Sequence, residues 1–87
     1  MTEFQYDPKK SRSNLKKHGI DFEQAQVLWE DPNLVKITAR SDDEPRSLII
    51  ARLNKQFCSA IVTDRGEEVR IISVRRSRVT EVEIYES

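Results

Sequence analysis

Several residue types are scarce in this sequence, and each shortage excludes a class of protein. One cysteine, Cys58, allows no internal disulfide, and one cysteine with one histidine cannot supply the four ligands of a structural zinc site. No apolar run approaches the ~20 residues of a membrane-spanning helix, and the N-terminus has no hydrophobic signal-peptide stretch. The acidic residues show no metal-binding spacing. We therefore expect a cytoplasmic protein with no membrane segment, no metal and no cofactor.

Glycine and proline are scarce as well. The 87 residues include two glycines and three prolines, which leaves little room for flexible linkers. We therefore interpret residues 1–87 as one domain. A domain of this size buries only about 60–65% of the surface of its unfolded chain, so we expect a small core.

Charge of one sign is not in excess overall, since Lys and Arg number 15 and Asp and Glu also number 15. This balance argues against a polycation that coats nucleic acid. The distribution is uneven, however: residues 1–20 hold five cations and two anions, residues 21–45 two and seven, and residues 46–87 eight and six. Two basic segments favour a local basic face, although an ordinary charged surface with snorkelling Lys and Arg gives the same counts.

Two helices are predicted near the N-terminus. Asp7-Pro8 is typical of a helix start, and Gly19 of a helix end that follows basic residues in the last turn. Asp21 and Gln24 have the spacing of a capping box and predict a second helix, which Asp31-Pro32-Asn33 ends. Its apolar residues share one face and are expected in the core: Phe22, Ala25, Leu28 and Trp29.

Four strands are predicted to follow, separated by turns at residues 41–45, 54–56 and 64–68. The strands are Leu34–Arg40, Arg46–Leu53, Phe57–Thr63 and Val69–Val74. The last is almost continuously apolar, so we expect it at the centre of the sheet. This order predicts an α+β fold with a mainly antiparallel sheet.

The C-terminal segment, residues 77–87, fits two structures. Val79, Val82 and Tyr85 recur with helical spacing, whereas Val82 and Ile84 alternate with glutamates as in a strand. Several β-branched residues also weaken the helical interpretation.

An arginine cluster is the densest chemical signal. Arg75, Arg76 and Arg78 follow directly after the apolar strand, and guanidinium groups bind phosphate through paired hydrogen bonds. The alternative is that these arginines pair with the acidic middle segment, or with Glu81 and Glu83.

His18 is the only histidine. It is a candidate general base or phosphate ligand, although a histidine at a helix end is more often a capping cation. A single histidine excludes the two-histidine arrangement for RNA cleavage, so another group must transfer at least one proton.

Three blocks of this sequence together resemble the BrnT family of type II toxin–antitoxin toxins. The blocks are residues 4–22 with Lys16-Lys17-His18-Gly19-Ile20-Asp21-Phe22, then Trp29-Glu30-Asp31-Pro32, then Arg70–Ser77 followed by Glu81 and Tyr85-Glu86. The resemblance implies a RelE-like fold, with a C-terminal helix that favours the helical alternative for residues 77–85. It also implies a metal-independent ribonuclease that cleaves RNA and inhibits translation.

The resemblance further implies a partner and a set of site residues. The partner is a BrnA-like antitoxin in a complex of two toxins and two antitoxins, which contacts DNA only through the antitoxin. The implied catalytic residues are Lys17, His18, Arg65, Arg75, Arg76 and Tyr85.

We assign hypothetical roles to these residues from the chemistry of RNA cleavage. Arg65 and Arg75 stabilise the charge that develops on the phosphate, and Arg76 positions the backbone. Lys17 or His18 helps to remove the proton of the 2′-hydroxyl group. Tyr85 is a candidate proton donor.

Two classes of function without catalysis remain open alternatives. One is an RNA- or protein-binding module, because phosphate contacts need no acid or base. The other is a pure interaction partner whose basic strand end binds an acidic antitoxin segment.

Overall fold

A five-stranded mixed sheet with helices on both faces forms the molecule in a computed structural model, which describes residues 2–39 and 45–87. The strand order is β1-β5-β4-β3-β2. In chain order the elements are β1 (Glu3–Gln5), α1 (Pro8–His18), α2 (Phe22–Ala25), a 3-10 helix (Gln26–Glu30), β2 (Val35–Ala39), β3 (Arg46–Leu53), β4 (Gln56–Arg65), β5 (Glu68–Arg76) and α3 (Val79–Glu86).

The α+β class is confirmed, but the prediction of four strands was wrong. The fifth strand, β1, pairs parallel with β5 from Glu3 opposite Glu68 to Gln5 opposite Arg70, and the other pairs are antiparallel. Three residues are too few to show an alternating pattern. Aromatic packing stabilises this short strand, because the Phe4 ring contacts the Trp29 ring edge to face, with 4.8 Å between the ring centroids.

The first helix follows its predicted caps. Asp7 accepts a hydrogen bond from the backbone N–H of Lys9 at 2.9 Å, and Gly19 ends α1 with a φ of 75°, a left-handed conformation that favours glycine.

The second helix starts at the predicted capping box of Asp21 and Gln24. The helical segment ends where predicted, because Asp31 follows the 3-10 helix as its C-cap, but only its first four residues are α-helical. The change of helix type does not keep the apolar side chains out of the core: Phe22, Ala25 and Leu28 are all buried there.

Strands β3, β4 and β5 occupy the predicted segments of the chain, and two of them are longer. The central strand is β4, so the expected central position of β5 was wrong. Strand β3 has the predicted bounds, whereas β4 runs to Arg65 and β5 runs to Arg76. Two arginines of the basic cluster are therefore strand residues rather than residues of a following loop. The predicted turn at 41–45, and the predicted strand end at Arg40, lie outside the described residues except for Pro45.

The core lies between one face of the sheet and the helices of the N-terminal half. A bulge in β5 shapes this face: Ile61 lies opposite Ser73 and Val62 opposite Ile71, so Ile72 is an extra residue without a partner on β4. The buried core residues are Ile20, Phe22, Ala25, Leu28, Ile49, Ala51, Cys58, Ala60, Val62, Ile71 and Val74.

The C-terminal segment is a helix, so the strand alternative was wrong. Helix α3 contacts Ser59 and Arg75, which alternate along their strands with the core residues Cys58 and Val74. It therefore covers the face of the sheet opposite the core. Among the described residues, no helix is long and apolar enough to cross a membrane.

Candidate functional site

An open pocket lies where the end of α1 meets the end of β5. Its volume is about 470 Å³, and its lining residues are Lys17, His18, Arg75, Arg76 and Arg78. We call it the basic pocket. Four of its five lining side chains carry a positive charge at neutral pH, so it is suited to bind an anion.

A buried side chain holds α1 against β5 at this pocket. Asn14, only 7% exposed, accepts a hydrogen bond from the Val74 backbone N–H at 3.2 Å and donates to the Val74 carbonyl at 2.8 Å. It also donates to the Ile20 carbonyl at 2.7 Å. The Asn14 amide thus makes the hydrogen bonds to Val74 that a neighbouring strand would make, because β1 ends at Gln5, opposite Arg70. Lys17 lies one turn farther along α1, which brings it beside the end of β5.

Glu81 fixes the guanidinium group of Arg75 on the other side of the sheet. Nη1 and Nη2 of Arg75 donate to the two carboxylate oxygens at 2.7 and 2.8 Å, a bidentate pair. The same carboxylate accepts hydrogen bonds from the Ser59 hydroxyl at 2.9 Å and the Arg78 backbone N–H at 2.8 Å. Arg75 is therefore held in one orientation at the pocket wall.

The electrostatics of this pair favour its charged form. Hydrogen bonds from Arg75, and then from Arg78 and Ser59, outweigh the effect of burial and lower the pKa of Glu81 from 4.5 to about 2. The hydrogen bond to Glu81 raises the pKa of Arg75. Both groups stay ionised throughout the neutral range.

The remaining lining residues are exposed to solvent. Arg76 and Arg78 are exposed, as are Lys17 and His18 at the end of α1. Arg75 and Arg76 are successive strand residues and therefore project from opposite faces of the sheet. The pocket reaches both because it wraps around the edge of β5.

The structure brings four of the six predicted site residues together, namely Lys17, His18, Arg75 and Arg76. It does not bring Arg65 there. Arg65 lies opposite Glu68 at the β4–β5 turn, whereas Arg75 lies opposite Ser59. The seven-residue separation along β5 corresponds to roughly 23 Å, so Arg65 is at the other end of the sheet.

Tyr85 also lies outside the basic pocket. Its hydroxyl donates a hydrogen bond to Asp31 at 2.7 Å. Its ring contacts the Phe57 ring edge to face, with 5.1 Å between the ring centroids. The bond to Asp31 raises the pKa of Tyr85. Asp31 also accepts backbone N–H bonds from Arg52 and Asn33, each at 2.9 Å. Burial opposes ionisation of Asp31, but these donors together lower its pKa. Tyr85 thus anchors the end of α3.

Sequence reasoning placed two residues differently from the structure. Arg78 belongs to the predicted arginine cluster but not to the predicted site residues, and it lines the pocket. The sequence indicates Glu81 as a partner of the cluster and as part of the family resemblance, but not as the residue that orients Arg75. Pairing of Arg75 with Glu81 is confirmed, yet Arg75 still lines the pocket, whereas Glu81 does not.

Comparison with known proteins identifies the family of the chain. A search among curated proteins finds no significant match to the chain. A family model described as "Ribonuclease toxin, BrnT, of type II toxin-antitoxin system" matches residues 6–81. This match covers most of the chain and spans α1, β5 and the start of α3, the elements that build the basic pocket. The chain therefore belongs to the BrnT family of ribonuclease toxins of type II toxin–antitoxin systems.

Proposed function

We propose that this protein is an endoribonuclease that cuts RNA in the basic pocket without a metal ion and thereby inhibits translation. The observation that carries the proposal is the convergence of Lys17 and His18 on α1 with Arg75 and Arg76 on β5. Membership of the family supports the ribonuclease activity, and the pocket offers cations at the place where a phosphate would bind.

In the proposed reaction the 2′-oxygen attacks the adjacent phosphorus and the bond to the 5′-oxygen breaks. The products are a 2′,3′-cyclic phosphate and a 5′-hydroxyl group. Extra negative charge develops on the phosphate oxygens in the transition state, and oriented hydrogen-bond donors stabilise it most effectively. Arg76 and Arg78 are exposed and suited to contact those oxygens. Arg75 forms the pocket wall with both terminal nitrogens bound to Glu81, whose carboxylate balances its charge.

The proton transfers are assigned to α1 rather than to α3. His18 in its neutral form accepts the proton of the 2′-hydroxyl, and the Lys17 ammonium group faces the same pocket as a donor. Tyr85 has no part in this scheme because its hydroxyl is bound to Asp31. Arg65 has none because it lies at the far end of β4.

A type II toxin has an antitoxin partner. We propose a BrnA-like antitoxin, in a complex of two toxins and two antitoxins, that covers the basic pocket with carboxylates and so imitates RNA phosphate. In this scheme DNA contacts of the complex come from the antitoxin alone.

The proposal is tested with purified protein and a mixed-sequence RNA in buffer that contains EDTA. We expect RNA cleavage at the same rate with and without EDTA, and products with cyclic phosphate ends. Cleavage that stops in EDTA would contradict the metal-free mechanism. Binding of RNA without cleavage at any pH would identify a binding module instead.

A further inference from the structure

A second, smaller pocket continues the basic pocket along α1. Its volume is about 210 Å³, and it shares Lys17 and His18 with the basic pocket. The residues that belong to it alone are Lys10, Ser13, Asn14, Ile72 and Ser73. We call it the flanking pocket. The shared residues place the two pockets side by side along α1 and β5, and we call the two together the groove.

The α1 side of this groove has a regular arrangement. Lys10, Ser13 and Lys17 are spaced by three and four residues, so they lie on one face of the helix. The axial rise between the two lysines is ~10 Å. One lysine stands at each end of the flanking pocket, and Lys17 also serves the basic pocket. Their ammonium groups are therefore suited to successive phosphates of one strand.

The β5 side of the groove is less polar. Ile72 is the extra residue of the bulge and is half-buried, and the neighbouring Ser73 adds a hydroxyl group. One apolar side chain and two serine hydroxyls in the same pocket suit a nucleoside, whose base contacts the apolar surface and whose sugar and base edges accept or donate hydrogen bonds. In the described part of the chain, no acidic residue lines either pocket.

We infer that the flanking pocket is a nucleotide subsite for single-stranded RNA. It holds the nucleoside next to the cleaved phosphate and, at Lys10, the phosphate on the other side of that nucleoside, which a dinucleotide lacks and an extended ligand supplies. The inference rests on the proposed function, since it takes the basic pocket as the place of cleavage. Single-stranded RNA is the fitting substrate because the bases must leave a duplex to enter a groove between a helix and a strand. Lys10 is the binding residue that the basic pocket itself does not use.

Binding of non-cleavable RNA tests this subsite directly. The ligands are a dinucleotide with a 2′-O-methyl group at the cleavage position, and the same dinucleotide extended by one nucleotide on either side. We expect the wild-type protein to bind one of the extended ligands more tightly, and Lys10→Gln to lose that gain. The expected loss is roughly two- to fivefold, the size of one exposed ion pair.

The matched control is Arg12→Gln. Arg12 is an exposed cation on the same helix that lines neither pocket. We expect it to keep the gain in affinity. For the longer ligand, the slope of log K against log salt should fall in magnitude by ~0.7 in Lys10→Gln and stay unchanged in Arg12→Gln.

The subsite would be overturned if Lys10→Gln and Arg12→Gln bound every ligand equally well. It would also be overturned if Lys10→Gln lost the same affinity for the dinucleotide as for its extended forms. These outcomes are separate from failure of the proposed function, which shows in the EDTA cleavage assay. If the protein cleaves RNA in EDTA but Lys10→Gln keeps the gain in affinity for the extended ligand, the subsite alone is refuted. Length-dependent binding without cleavage refutes the ribonuclease proposal and keeps a single-strand binding groove.

Discussion

At the scale of single residues, Glu81 is the residue other than the cations on which the site depends most. It is the only buried residue of α3, with 8% of its surface exposed, although the helix includes valine, isoleucine and tyrosine. Its four hydrogen bonds join β4, β5 and the start of α3. A charge in that position needs such partners, because an unpaired buried carboxylate is costly.

Acid should weaken the fold through this residue. The folded pKa of Glu81 is about 2 against an ordinary 4.5, so the unfolded chain binds the proton more readily. The stabilisation is complete above the ordinary pKa and is lost as pH falls through the folded value. We expect on the order of 1–2 kcal/mol, after screening by solvent, to be lost between pH 5 and pH 2.

Urea unfolding at pH 5 and pH 3 measures the larger part of this loss. Glu81→Gln should be less stable at pH 5 and should show a flatter pH profile. Glu83→Gln, a change at an exposed acid on the same helix, should keep the wild-type profile. Identical profiles for wild type and Glu81→Gln would contradict the assignment.

Tyr85 offers a second prediction at this scale. Tyr85→Phe removes the hydrogen bond to Asp31 but leaves the ring against Phe57. We expect a loss of about 1–2 kcal/mol in the free energy of unfolding, because the acceptor is charged. The rate of RNA cleavage should stay unchanged, since the hydroxyl lies outside the basic pocket. A large fall in rate with intact folding would return Tyr85 to the catalytic residues.

At the scale of elements, the site depends on how α1 meets the open edge of β5. Asn14→Ala would leave both backbone polar groups of Val74, and the Ile20 carbonyl, without their side-chain partner. We expect a destabilisation of about 2–3 kcal/mol. Leu15→Ala, a change at an exposed residue one position along α1, is the control and should cost far less. Thermal unfolding of both variants makes the comparison.

The parts of the fold that the sequence predicted well are those set by local contacts. The caps at Asp7, Gly19 and Asp21 act within three or four residues, so their chemistry is visible in the sequence. Strand β1 was missed because aromatic packing from distant residues stabilises it. The same holds for the site: Lys17 and Arg75 are far apart in sequence, and the buried amide of Asn14 that joins their elements looks like any surface asparagine.

At the scale of the whole molecule, a net charge of zero is compatible with RNA cleavage. The cations of the basic pocket meet at one end of the sheet. Glu81 balances the charge of Arg75, and no acidic residue of the described chain lines the pocket. Such a protein should bind RNA locally and with modest dependence on salt, since only a few phosphates are contacted. We expect a slope of log K against log salt of roughly −2 to −3 for a short single-stranded RNA, measured by fluorescence anisotropy.

The central claim is that RNA is cut in the basic pocket, and Arg76 tests it most directly. The measurement is the single-turnover cleavage rate of wild type, Arg76→Ala and Arg12→Ala in EDTA, with circular dichroism to show that all three are folded. We predict a fall of about 10²-fold in Arg76→Ala, as for the loss of one transition-state donor, and a wild-type rate in Arg12→Ala. A wild-type rate in Arg76→Ala would place the chemistry elsewhere and contradict the account.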